Sequence, residues 1–232
     1  MDAVLLAAGL GTRLRPHTEK TPKPLLEVQG RPILDWTLGA LPKTVNRVIV
    51  VTHYLAEQID AYLGQQNHIK EWVTVPQGDP QGTGDAFRKC RPHVRSDKVM
   101  VLNGDDLFGA ADLAMLAECP AGVIVQEVQE PKKFGIAFLK KDGTLEKLLE
   151  KPDLPPPQWA NTGAYVFPRD VFDIEITRSQ RGEYEITDYV TKLAAKRPYH
   201  VVRSTFWFPI GDEAAWNAAQ KLDLQKVLTA QR

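Results

Sequence analysis

After an apolar start the chain reads GLGTRLRPHTEKTPKPLLEV over residues 9–28, and these are the residue types of an anion-binding loop. Gly9 and Gly11 carry no side chain, so backbone N–H groups there can come close to a phosphate. Arg13, Arg15, Lys20 and Lys23 add positive charge, and Pro16, Pro22 and Pro24 lower the entropy lost in holding it in place. The spacing matches neither a Walker loop, which ends in Lys-Ser or Lys-Thr, nor the dinucleotide fingerprint GxGxxG. A triphosphate held in an extended basic loop is the expectation. A second feature, LNGDDLF, puts Asp105 and Asp106 just beyond the apolar run KVMVL. Paired carboxylates are hard oxygen donors suited to Mg2+, which bridges phosphate oxygens and neutralises developing charge. The same pair would also suit an acidic turn or a helix cap; of the two, Asp105 is the expected ligand.

These groups need a scaffold that delivers them to one edge. Val4–Ala8, RVIVV at 47–51 and KVMVL at 98–102 are short, nearly continuous apolar runs, the pattern of strands buried on both faces. Helical patterns fill the gaps: PILDWTLGAL from Pro32, LAEQIDAYL from Leu55, GTGDAFRKC with Thr83 as a candidate cap, and DLAMLAEC from Asp112. Strand and helix alternating in this way predict a doubly wound, mostly parallel Rossmann-like α/β sheet, with its sites beyond the carboxyl ends of the strands. Past residue 120 the pattern changes. AGVIVQEV reads as a strand, FGIAFLKKDGTLEKLLEKP as a hairpin turning at Asp142 and Gly143, and TGAYVFP as a strand leading to a helix near Arg169. DLPPPQW suits only a surface excursion. The expectation is a single domain over 1–232. Residues 1–120 form its nucleotide-binding half, and 121–232 add antiparallel strands, a second pocket wall and a final amphipathic helix, AAWNAAQKLDLQKVLTA, with Ala214, Ala218, Leu222 and Leu224 apolar.

Composition narrows the partners. With 29 basic and 29 acidic side chains, the formal charge is zero, so anion binding must be local, and neither nucleic acid nor an anionic membrane is implied. The opening MDAVLLAAGLG is too short to span a bilayer and lacks a basic leader region, which predicts a cytoplasmic protein. Cys90 and Cys119 are not spaced as a clip, and His17, His53, His68, His93 and His200 are scattered, so no zinc site is expected. In RGEYEITDYV, Glu183, Glu185 and Asp188 open a helix, where acids suit its dipole or could reach a bound hydroxyl.

The stretch LAAGLGTRLRPHTEKTPKPLLEVQGRPIL resembles the opening motif of the sugar-1-phosphate nucleotidyltransferases, also called nucleotide-sugar pyrophosphorylases. The resemblance runs on through PQGDPQGTGDA, NGDD, FGIAFL, LEKP, NTG and GEYEITD, and covers nearly the whole chain. It implies transfer of a nucleotidyl group from a nucleoside triphosphate to a sugar 1-phosphate, with loss of pyrophosphate and dependence on Mg2+. By similarity, Leu6, Ala8 and Gly9 would meet the nucleoside, Gly11, Thr12 and Arg13 the phosphates, and Lys23 the region of the α-phosphate. Gln77, Gly82 and Thr83 would read the base, and Asp105 would hold the metal. Gly135, Glu150, Asn161 and Thr162 would line the sugar pocket, with Lys151 gripping the sugar phosphate, which would make 121–232 the sugar-binding half. Arg13, Lys23, Asp105 and Lys151 would then be the catalytic set. The motifs QGTGDA and NTG lean toward the uridylyltransferases of N-acetylglucosamine 1-phosphate or glucose 1-phosphate, with UTP or dTTP as donor.

One position departs from the family. Where a metal-binding aspartate or asparagine usually follows the tryptophan in FWFPIG by two residues, this chain has Pro209, which offers neither a side-chain oxygen nor an N–H. Asp212 could supply the missing carboxylate, water could fill the position, or the protein could be a noncatalytic relative that binds nucleotide for regulation. A choline-phosphate cytidylyltransferase is a further alternative, and would need an aromatic cage from Trp159, Tyr165 and Trp207. No hexapeptide repeat follows the transferase motifs, so no acyl transfer is expected. The final helix offers a surface for homo-oligomer formation.

Overall fold

In a computed structural model the protein is described over residues 1–228. Four strands form the parallel heart of a nine-stranded sheet: β1 (Asp2–Leu6), β4 (Arg47–Thr52), β5 (Glu71–Pro76) and β6 (Lys98–Asn103), in the order β5-β4-β1-β6. Their apolar runs serve two layers at once, because successive side chains point to opposite faces. Leu5, Val48, Val50, Met100 and Leu102 pack on one face with α1 (Ile33–Ala40) and α4 (Ala110–Glu118). Val4, Ile49, Val51, Val99 and Val101 pack on the other with α3 (Thr83–Lys89) and α5 (Ile186–Ala194). A further helix, α2 (Ala56–Leu63), connects β4 to β5 and seals Ile59 and Leu63 beneath it. This is the predicted doubly wound sheet, and only strands covered on both sides can be so uniformly apolar.

The later strands extend the same sheet. β11 (Gln158–Pro168) runs antiparallel to β6 over Ala164–Pro168 and to β8 (Gly122–Val128) along its other edge, with an irregularity between Asn161 and Tyr165. β9 (Gly135–Leu139) and β10 (Leu145–Glu150) form the expected hairpin. The Asp142 carboxylate takes the Thr144 N–H at 2.9 Å, and Gly143 supplies the positive φ of 81° the turn needs. Two small ribbons stand apart: β2 (Glu27–Val28) with β3 (Arg31–Pro32), and β7 (Asp106–Phe108) with β13 (Trp207–Pro209).

Several expectations need correction. β1 is Asp2–Leu6 rather than Val4–Ala8. Its polar first residue is buried because the Asp2 carboxylate accepts the Arg95 and Ser96 N–H groups at 2.6 and 3.1 Å. The basic loop is not extended; its residues condense into three short 3-10 turns, Thr12–Leu14, His17–Glu19 and Lys23–Leu25. Near Arg169 the chain makes only a 3-10 turn, Arg169–Asp173. β12 (His200–Arg203) joins β8 in parallel, so the additions are not all antiparallel.

The final amphipathic helix is broken into α6 (Glu213–Ala219) and α7 (Leu224–Leu228), and the last part of the expected helix lies outside the described residues. The β2–β3 hairpin packs at the break, where the Gln29 side-chain amide N–H donates to the carbonyls of Ala219, at 3.2 Å, and Leu222. Ala214 and Ala218 are exposed, while Ala219 and Leu224 are buried on the protein's own core. Among the described residues no helix is long and apolar enough to cross a membrane.

Candidate active site

Adjacent parallel strands β1 and β6 end side by side, so the loops that follow them meet. The Gly104 N–H donates to the Leu6 carbonyl at 3.0 Å, which brings the acidic turn under the basic loop. There Lys23, only 7% exposed, places Nζ 2.5 Å from Oδ2 of the half-exposed Asp105. The two acids have separate fates. Asp105 opens to solvent, whereas Asp106 is buried, pairs across the ribbon with Pro209 and accepts the Trp207 indole N–H at 3.3 Å. Burial, and then the neighbouring Asp105 charge, push the Asp106 carboxyl up to about 7.

Two cavities meet at this junction. The first, about 400 Å3, is walled by the basic loop and by the segment leading into α3. It contains every residue expected to meet the nucleotide: Leu6, Ala8, Gly9, Gly11, Thr12 and Arg13 on one side, Gln77, Gly82 and Thr83 on the other. The second, about 730 Å3, is walled by β9–β11, the start of α5 and the β7–β13 ribbon, and contains Gly135, Glu150, Lys151, Asn161, Thr162 and Asp212. Arg13, Lys23, Thr83, Asn103, Asp105 and Gly211 line both. The residues singled out in the sequence therefore lie in the walls of two joined cavities.

Side-chain bonding refines several assignments. Gln77 is 3% exposed and its amide N–H donates to the Gly82 carbonyl at 3.0 Å, so it shapes the loop it was expected to read bases beside. Thr83 does not cap α3; Gly82 holds that position, and the Thr83 hydroxyl accepts the Ile186 N–H at 3.1 Å. Thr162 is buried and donates to the Ile124 carbonyl at 2.9 Å, which commits its proton and leaves its oxygen only as an acceptor. Asn161 donates to the Tyr165 hydroxyl at 2.7 Å and receives the Gly163 N–H at 3.1 Å. The Glu150 side chain opens to the second cavity. Burial of its carboxyl, and then the Glu185 charge, raise its pKa against the pull of Arg181 and Lys151. Glu185, at the cap position of α5, is held by Arg181 at 2.7 Å and Ser179 at 3.1 Å.

Sequence reasoning missed Asn103, Phe134 and Arg181, all of which line the second cavity. Phe134 lies edge-on to Trp207 with ring centroids 5.3 Å apart, forming an apolar wall. Trp159 is not part of it: Arg203 sits over its ring at 4.8 Å, away from the cavity, so the three-ring cage for a quaternary ammonium does not form. His17 is an exposed residue outside both cavities, its ring 4.7 Å from that of Trp216 on α6 and its Nε2 3.5 Å from Glu213.

Among the described residues no three His, Cys, Asp or Glu side chains converge as a metal cage. Mg2+ does not need one, because it is commonly bound by one or two carboxylates together with substrate phosphates and water. Asp105, at the seam of the two cavities, fits that role. Asp212 faces the second cavity, but its Oδ1 caps α6 by accepting the Ala215 N–H at 2.9 Å.

A doubly wound sheet whose strand ends carry a basic loop, a solvent-facing carboxylate and two joined cavities places the chain in the class of α/β proteins with their clefts at the strand ends. Residues 2–226 match the family described as Nucleotidyl transferase, and the chain belongs to it. It is 34% identical over 232 residues to the bifunctional protein GlmU of Methanocaldococcus jannaschii, covering 99% of this chain and 56% of that protein. It is also 34% identical over 222 residues to a mannose-1-phosphate guanylyltransferase of Mycobacterium tuberculosis, covering 91% of this chain and 61% of the other. The chain thus spans little more than half the length of these relatives. Among solved structures, a provisionally named glucose-1-phosphate thymidylyltransferase of Bacillus anthracis, in complex with sucrose, superposes with a TM-score of 0.84 at 26% identity, covering 96% of each chain.

Proposed function

We propose that this chain transfers a nucleotidyl group from a nucleoside triphosphate to a sugar 1-phosphate, yielding a nucleoside-diphosphate sugar and pyrophosphate. The observation that carries this is the meeting of two chambers at Arg13, Lys23 and Asp105, the residues that must face a phosphate from each side. The sugar phosphate is already an oxygen nucleophile at neutral pH, so no side chain has to be activated. Its oxygen attacks the α-phosphorus, the bond from that phosphorus to the β-phosphate oxygen breaks, and pyrophosphate leaves with the electron pair. The protein's task is to align two polyanions and to stabilise departing charge.

In this reading Gly11, Thr12 and Arg13 cradle the triphosphate, with Leu6, Ala8 and Gly9 along the nucleoside and Gln77, Gly82 and Thr83 around the base. Lys23 holds the α-phosphate region, and Lys151 draws the sugar phosphate toward it. Gly135, Glu150, Asn161 and Thr162 form the sugar wall. Mg2+, when bound, would neutralise charge on the phosphates; Asp105 would hold it, with Asp212 as a second oxygen donor through the atom not committed to Ala215. For the substrates we assign UTP or dTTP with N-acetylglucosamine or glucose 1-phosphate, on the motifs QGTGDA and NTG.

Pyrophosphate release, measured over UTP, dTTP, CTP and GTP against several sugar 1-phosphates and phosphocholine with Mg2+, tests both levels. Release from a uridylyl or thymidylyl pair supports the assignment, and release from another pair corrects only the substrates. No release from any pair, with nucleotide still bound, would replace transfer by nucleotide sensing.

A further inference from the structure

The first turn of α3 walls the first chamber and that of α5 the second, with Thr83 at the start of α3 facing both. A short web joins these two turns. The Ile186 N–H donates to the Thr83 hydroxyl at 3.1 Å, the Gly84 N–H to the Tyr184 carbonyl at 2.8 Å, and the Tyr184 N–H to the Gln81 carbonyl at 2.8 Å. Arg178 adds a bond to the Gln81 side chain at 2.5 Å, and Arg178 and Arg88 lie 4.8 and 5.1 Å from the Tyr184 ring centre. The contact is backbone on backbone. Gly82 has φ +107°, and a β-carbon there would run into the Tyr184 carbonyl, while one on Gly84 would stand 2.9 Å from the Glu185 carbonyl carbon. The strap also divides its residues between the chambers, Glu183 facing the first and Glu185, Ile186 and Thr187 the second.

We infer that Thr83 is a positioning residue whose hydroxyl ties the mouth of the nucleotide chamber to the first turn of α5, so that filling one chamber sets the wall of the other. This rests on the proposed reading of the two chambers. The hydroxyl carries the web from the first residue of α3 to the first residue of α5. It satisfies an N–H that the helix itself leaves without a partner. A ligand that orders the Gly82–Thr83 turn therefore also orders Ile186 and the neighbouring Glu185 and Thr187. Coupling of this kind is reciprocal: each ligand must tighten the other by the same factor.

The test is calorimetry on the full chain with Mg2+, using α,β-methylene analogues of UTP, dTTP, CTP and GTP with glucose 1-phosphate or N-acetylglucosamine 1-phosphate. In the unmodified protein the analogue is expected to tighten sugar-phosphate binding by about fivefold or more. Thr83→Val keeps the shape but removes the acceptor, and is expected to bring that ratio close to one. Thr83→Ser restores it. A merely structural role would weaken both ligands and leave the ratio unchanged, and an unchanged ratio in Thr83→Val overturns the inference while sparing the proposed reaction. Binding of neither ligand class to the unmodified protein overturns the reading of the chambers, and the inference with it.

Discussion

Asp112 offers the sharpest test of how the second chamber is held together. It lies in the first turn of α4, has no exposed surface, and receives four hydrogen bonds from the segment that leads into β13. The Thr205 and Phe206 N–H groups donate to Oδ2 at 2.8 and 3.0 Å, Ser204 Oγ donates to Oδ2 at 3.0 Å, and Thr205 Oγ1 donates to Oδ1 at 2.8 Å. Asp112→Ala removes the acceptor for all four. The two hydroxyls can turn to other partners, but the two backbone N–H groups cannot. Leaving them unsatisfied, with bonds to a charged acceptor lost, costs about 3 to 5 kcal/mol. For a chain of 232 residues that corresponds to a fall in Tm of roughly 6 to 20 °C. Asp112→Asn keeps one acceptor oxygen and is expected to fall between. Thermal unfolding followed by circular dichroism gives the number. The same segment carries Trp207, which holds Asp106 and faces Phe134, so KM for the sugar phosphate should rise in Asp112→Asn at a temperature where it is fully folded. A Tm within about 2 °C of the unmodified protein for Asp112→Ala would show that water or a shifted loop replaces the carboxylate, and would refute this account of the chamber wall.

Two further outcomes are expected. Lys23→Ala should lower turnover by about 3 kcal/mol of transition-state stabilisation, by analogy with the loss of one preorganised donor, while circular dichroism shows an intact fold; near-normal turnover removes Lys23 from the catalytic set. Glu150 keeps its proton to a higher pH than the free side chain, whose value is 4.5, because burial and then the Glu185 charge disfavour the anion. The unfolded chain therefore releases that proton first, and stability contributed by this group declines as pH rises from 4.5 toward its raised value. Over the same interval the ionised form becomes available to accept sugar hydroxyls, so KM for the sugar phosphate should fall. Glu150→Gln should flatten both trends, and a KM–pH profile identical to that of the unmodified protein would take Glu150 out of the sugar wall.

What was legible beforehand follows the range of the interactions involved. The parallel core could be read from Val48–Val51 and Val99–Leu102, because burial on both faces is written in each strand's own residues. Short ribbons and single-residue roles could not. β7 and β13 are three residues each and owe their existence to pairing across about a hundred positions, so Pro209 could be flagged as an unusual residue without its facing Asp106 being visible. Asp105 and Asp106 are identical in type and adjacent, and only the fold decides that one stands at the seam of both chambers while the other is buried in the wall of the second, bonded to Trp207.

Thr83 shows the same limit more strictly. Its position before an apolar helical run is that of a local cap, yet the hydroxyl serves a helix that begins at Ile186, 103 residues later. A local rule assigns a donor or acceptor to its nearest unsatisfied partner; the folded chain assigns it to whichever orphan group the topology delivers. In a protein whose two chambers are built by different halves of one sheet, the residues that join the chambers are therefore the ones local reading will misassign. Thr83 and Asp112 both have local roles at helix starts available to them and both serve segments about a hundred positions away, which is why they are the positions where substitution should report on the assembly rather than on a single helix.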